Sequence, residues 1–171
     1  QGSEEPGHLR ELAPLLAGQM AWGGEPVNHF CVSGNTLLGL ITQDKLGKGP
    51  MPAWLPEEGL WGVLNGTLYE SDEREHLRRT FGQRYSDLRA FATLYREGRL
   101  TEALPDMNGA FFTVLWDPES GTLVAANDRF GLYPMYWSQA GERFCLASRV
   151  LCSVLSGVVP GEWDPAGAAQ M

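Results

Sequence analysis

The sequence has no apolar run of the roughly 20 residues that a membrane-crossing helix needs. Its N-terminus also lacks the charged-then-apolar order of a secretory signal. Basic residues are few: 13 Lys and Arg against 21 Asp and Glu give a net charge of −8. An acidic surface repels phosphate backbones, and only the short stretch from Arg74 to Arg79 gathers positive charge. A nucleic-acid partner is therefore not expected, nor is a membrane. Cysteine is scarce. Cys31, Cys145 and Cys152 form an odd set without CxxC or metal-type spacing, which argues for reduced thiols in a cytoplasmic protein rather than a disulfide framework. The sequon Asn65-Gly66-Thr67 could take a glycan only in a secreted protein. His8, His29 and His76 are scattered, so no metal site is expected. Gly47-Lys48-Gly49 is too short for a phosphate loop.

What is present is an ordinary apolar fraction, 43%, over 171 residues, enough for one domain with a buried core. Leu9, Leu12, Ala13 and Leu16 repeat as on one helix face, with Pro14 expected in or just past the first turn and Gly18 at the end. Phe30 to Val32 and Leu37 to Ile41 read as a hairpin about Ser33-Gly34-Asn35. Gly47 to Pro56 reads as a loop, and Leu60 to Leu64 as a strand closed by Asn65-Gly66. Asp72 and Glu75 look like a capping pair opening a helix that stops near Gly82. Leu88, Phe91, Ala92 and Tyr95 make an apolar stripe after Ser86, with Gly98 just beyond. Ala110 to Trp116 should be a strand buried on both faces, with Leu123 to Ala126 returning antiparallel. Met135 to Trp137 and Phe144 to Ala147 suggest a second hairpin, and Ser148 a cap for a helix from Val150 to Leu155. Helices in the middle with strands on both sides imply an α+β fold of mostly antiparallel sheets.

The order of certain segments is distinctive. Val63-Leu64-Asn65-Gly66-Thr67-Leu68-Tyr69 is similar to the V-x-N-G-E-I-Y segment of class II glutamine amidotransferases, and Tyr85-Ser86-Asp87 resembles their S-D-T-E segment. Asn108-Gly109-Ala110-Phe111-Phe112, running into Leu115-Trp116-Asp117, resembles N-G-M-F-A-F-x-x-W-D. Asn127 to Tyr136 resembles the R-D-R-F-G-I-K-P-L-Y signature of asparagine synthetases, and Leu146-Ala147-Ser148 stands where those have F-A-S-E. The resemblance runs from about Leu9 to Leu155. It implies the four-layer αββα sandwich of N-terminal-nucleophile hydrolases, in divergent form, as in β-lactam synthetases and lasso-peptide cyclases.

The resemblance also implies a chemistry. In this family a cysteine at residue one attacks the glutamine amide, with its own α-amine as base. Here no cysteine precedes Cys31, and the three internal ones have no α-amine. No catalytic nucleophile is therefore assigned. Asn65 and Gly66 match the oxyanion hole, or else form a plain strand-ending turn. Asp87 matches the carboxylate that holds the glutamine ammonium, or else is an ordinary helix-start residue. The arginine that clamps the substrate carboxylate is not matched: Leu38 to Asp44 is without a basic residue, and Lys45 cannot form the same fork. Asp128 and Arg129 read as a structural ion pair.

Three readings follow. The first is a glutaminase-like domain that no longer hydrolyses glutamine and serves as scaffold for an ATP-dependent amide-forming domain. The second is a working amidotransferase domain whose cysteine strand lies outside this sequence, and the third an amino-acid-binding or interaction module. No cofactor is expected in this chain; ATP and Mg belong to the C-terminal synthetase domain or subunit taken as its partner. Glutamine or glutamate is the candidate ligand, and a homodimer is left open. Gln1-Gly2-Ser3 resembles a tag remnant, 4–157 the glutaminase-like domain, and 158–171 the start of a linker.

Overall fold

The computed structural model describes residues 6–20, 27–42, 53–69 and 72–162. The apolar run from Ala110 to Trp116 lies in strand β5 (Gly109–Asp117), an inner strand of a four-stranded antiparallel sheet. The others are β3 (Ala53–Leu55), β4 (Leu60–Leu68) and β6 (Thr122–Asn127), in the order β3-β4-β5-β6. Alternate residues of β5 face opposite sides, and both sides are covered. Phe111, Thr113 and Leu115 are buried on one, Phe112 and Val114 on the other.

Helix α3 (Asp87–Arg96) covers the first side. Ser86 caps it by accepting a hydrogen bond from the Arg89 N–H, and Leu88, Phe91, Ala92 and Leu94 face the core. The rings of Phe91 and Phe111 lie 4.9 Å apart and tilted, a favourable aromatic geometry. Gly62 of β4 leaves room for Leu88: a Cβ there would come within 2.7 Å of a Leu88 methyl.

A hairpin of β1 (Val27–Ser33) and β2 (Thr36–Thr42) turns through Gly34, whose φ of 57° suits glycine. β2 meets β4, and helix α1 (Pro6–Met20) lies against β1 and β2. Contacts thus run helix, sheet, sheet, helix from α3 to α1. The fold is α+β with antiparallel sheets, as expected. Helix α2 (Asp72–Phe81), 3-10 turns at Gly82–Arg84 and Leu104–Asp106, and a short α4 (Leu100–Ala103) complete the description of this part.

By its contacts the chain divides into two units, Gln1–Tyr133 and Pro134–Met171. The second holds the hairpin of β7 (Tyr136–Ala140) and β8 (Arg143–Ala147), followed by α5 (Leu151–Leu155), which contacts β8. Trp137 and Phe144 stack with centroids 6.4 Å apart, and both are largely exposed.

Several expectations need correction. Pro14 sits in the middle of α1, which runs past Gly18 to Met20. An exposed proline costs one hydrogen bond, and the buried Leu12 and Ala17 hold the helix together across it. Part of the Gly47–Pro56 segment is the edge strand β3, because Leu55 has a buried place opposite Leu60; residues 43–52 of the Lys45 region lie outside the described set. Helix α2 does open at Asp72 and stop beside Gly82 as expected, with Glu75 pairing with Arg79 and Arg78 on its surface. Ser148 is not the cap of α5: Val150 holds that position without a side-chain bond. Of the three free cysteines only Cys152 is fully buried.

Candidate functional site

Asn65 and Gly66 do not end β4. The strand continues to Leu68, with Asn65 opposite Phe112 and Gly66 opposite Phe111. The turn chemistry of Asn-Gly is overridden by the neighbouring strand. Gly66 has φ of 103°, and a Cβ on it would lie 2.0 Å from the Ala110 carbonyl oxygen and 2.7 Å from the Phe111 Cα. Backbone meets backbone there, so only glycine fits. Gly109 answers from the other side, since its Cβ would lie 2.6 Å from the Thr67 carbonyl oxygen. Asn65 and Thr67 share the face of β4 opposite to Leu64 and Leu68, which point into the core.

The end of β4 meets Asp87. The Leu68 N–H donates to Asp87 Oδ2 at 3.0 Å, and Thr67 Oγ1 donates to the same oxygen at 3.2 Å. Oδ1 accepts from the Tyr85 hydroxyl at 2.9 Å and from Arg74 Nε at 3.2 Å. A second Arg74 nitrogen lies 3.2 Å from Oδ1, with side-chain exposures of 14% for Arg74 and 13% for Asp87. Arg74 Nε also donates to the Tyr85 oxygen at 3.2 Å. Burial opposes ionisation of Asp87. The bonds from Leu68 and Tyr85 and the charge of Arg74 outweigh it and hold the carboxyl below its ordinary range. Tyr85 is pushed up to about 12, first by burial and then by its bond to Asp87, so it stays a neutral donor. Burial likewise opposes charge on Arg74, but Tyr85 and Asp87 raise it above its usual value.

Asn65 and Gly66 thus lie on β4 just before Thr67 and Leu68, the residues that bond Asp87. Asp87 lies in the first turn of α3, as a helix-start residue would, and its carboxylate is engaged by groups of the same chain. Sequence reading missed Arg74 and Tyr85. One signal was present: Thr67 stands where the V-x-N-G-E-I-Y segment has glutamate.

Burial disfavours the thiolate at two of the internal cysteines. Burial pushes Cys31 up to about 11, only partly offset by a backbone hydrogen bond near Leu38, and burial raises Cys152 as well. Leu38 to Thr42 lie in β2, and among the described residues of that segment no guanidinium is presented. Asp128 and Arg129 do not pair with each other. Adjacent residues diverge, and the buried Asp128 carboxylate accepts from the N–H groups of Phe111, Phe130 and Leu132, while Arg129 donates to the Pro105 carbonyl. Among the described residues no three His, Cys, Asp or Glu side chains come together as a metal site would require. No described helix is long and apolar enough to cross a membrane.

A further carboxylate was also overlooked. Asp117, 2% exposed, accepts from Arg96 at 2.7 Å, from the Tyr95 hydroxyl at 3.3 Å, and from the N–H groups of Glu119 and Ser120. It ties the end of α3 to the end of β5.

Comparison with known proteins agrees with this geometry. The pattern of a family described as "glutamine amidotransferase domain" matches residues 38–153, more than half of the chain. The chain is 25% identical over 153 residues to the glutamine-hydrolyzing asparagine synthetase 3 of Bacillus subtilis (strain 168), covering 88% of this chain and 24% of that protein. It is 29% identical over 140 residues to amidase chry2 of Gibberella zeae, covering 80% and 20%. It is 27% identical over 135 residues to the glutamine-hydrolyzing asparagine synthetase B of Escherichia coli (strain K12), covering 75% and 24%. The chain thus spans about a quarter or less of the length of these relatives.

Proposed function

The chain belongs to the glutamine amidotransferase domain family, and from that premise we propose that it is the glutaminase-like part of a larger, ATP-dependent amide-forming enzyme and does not itself hydrolyse glutamine. Relatives named as asparagine synthetases, about four times longer, support the larger enzyme. On this reading a C-terminal synthetase-type domain holds ATP and Mg. The three free cysteines fit a reducing compartment such as the cytoplasm.

The observation that carries the loss of hydrolysis is the state of the chain's own thiols. The mechanism of this family needs a cysteine whose α-amine takes up its proton. Cys31, Cys145 and Cys152 all lie within the chain, and Cys31 is pushed up to about 11. On this reading Asn65 and Gly66 keep an oxyanion hole's place, and none of these three thiols serves it. Leu38 to Asp44 adds nothing to grip a substrate carboxylate.

The names of two relatives, both glutamine-hydrolyzing asparagine synthetases, favour a second reading: an active domain whose cysteine is supplied by residues preceding Gln1. Incubating the full-length protein with glutamine and measuring glutamate separates them. The first reading expects no release above the uncatalysed background. Release, together with labelling of an N-terminal cysteine by a glutamine-like electrophile, would establish the second.

A further inference from the structure

We propose that Arg74 decides what the Asp87 carboxylate holds: its guanidinium takes the place of an incoming ammonium group and closes the corner to free α-amino acids, glutamine included. The proposal rests on the reading of Asp87 as the ammonium-binding carboxylate and says why that function would be absent.

A carboxylate offers about four lone-pair sites. Those of Asp87 face four donor groups of the same chain: Arg74, Tyr85, Leu68 and Thr67, between 2.9 and 3.2 Å. An ammonium brings one positive charge and three donors, and it needs a negative charge not already balanced. Here Arg74 balances it. Thr67, in the position of a glutamate in the resembled segment, adds no second carboxylate.

Displacing Arg74 is unfavourable for two further reasons. Its guanidinium carbon lies 5.8 Å from the centre of the Tyr85 ring, so it loses a cation–π contact as well as its hydrogen bonds on leaving. It is also tethered by a few turns of chain, and an intramolecular competitor acts at a high effective concentration. Free glutamine has no such advantage. An ammonium entering beside a retained Arg74 would meet a like charge at close range.

The test is calorimetry with glutamine on the full-length protein and on Arg74→Gln. The native protein is expected to show no binding. Arg74→Gln, checked for native circular dichroism, is expected to gain about tenfold or more in affinity, into the measurable range. Adding Asp87→Asn to it is expected to abolish the gain. A folded Arg74→Gln that binds no glutamine would overturn the proposal, whatever the glutamate-release assay shows. Glutamine binding by the native protein would also overturn it; if Asp87→Asn then removed that binding, the reading of Asp87 would survive while the role of Arg74 fell. Should Arg74→Gln not fold, the Arg74 Nε–H resonance of the native protein decides. It is expected to be exchange-protected and unmoved by glutamine, and a shift on adding glutamine would refute the occupancy.

Discussion

Two carboxylates fasten the two ends of α3, and they are built alike. At its start Asp87 takes an arginine, a tyrosine hydroxyl and a backbone N–H, from Arg74, Tyr85 and Leu68. At its end Asp117 takes the same three kinds of donor, from Arg96, Tyr95 and Glu119. Asp117 is 2% exposed and its bonds tie the end of α3 to the end of β5, so they are structural. Asp87 sits at the more open corner that the family resemblance assigns to substrate. The difference lies in the burial of the carboxylates, 13% exposed for the Asp87 side chain against 3% for Asp117, while Arg96 is the more exposed of the two arginines. A carboxylate kept for a ligand should have spare acceptors, and Asp87 is as fully engaged as its structural counterpart.

The comparison can be broken by substitution. Asp117→Ala removes every bond at the buried corner and leaves Arg96 without its partner. It should cost about 2–4 kcal/mol, the lower part of that range if water reaches the partly exposed Arg96, read as a lowered urea midpoint. Asp87→Asn should cost less, about 1–2 kcal/mol, because the corner is nearer to solvent. If the two costs came out reversed, burial would not be what separates the corners.

A smaller effect sharpens the same point through pH. Both carboxyls lie below their ordinary values in the folded chain: burial pulls each upward, and the bonds from Leu68, Tyr85 and Arg74, or from Arg96, Ser120 and Glu119, prevail. A lowered folded value means stability that is complete above the unfolded value, about 3.9, and lost as pH falls through the folded one. Acid unfolding below about pH 4 should therefore be shallower in Asp117→Asn and in Asp87→Asn than in the native chain. An unchanged acid limb in both would mean that neither carboxyl is held down.

Much of this architecture was legible in the sequence. The run from Ala110 to Trp116 reads as a strand covered on both faces, and Ser86 with the stripe from Leu88 to Tyr95 and Gly98 beyond it mark α3 at both ends. What was misread depended on neighbours distant in the chain. Asn65-Gly66 has the local chemistry of a turn, but the Ala110 carbonyl lies where a Cβ of residue 66 would be, so the glycine serves strand packing. Asp128 and Arg129 looked like a pair because they adjoin, yet backbone N–H groups from three residues claim the acid. Arg74 carried no mark of its own. It reads as one of several arginines on an exposed helix until α2 is seen to lie beside Tyr85 and Asp87.

The most direct test follows the side-chain carboxyl carbons of Asp87 and Asp117 by NMR through a pH titration, with and without glutamine. The account predicts that both titrate below the ordinary aspartate range and that glutamine moves neither. A glutamine-dependent shift at Asp87, with Asp117 unmoved, would contradict it and return Asp87 to service as a ligand site.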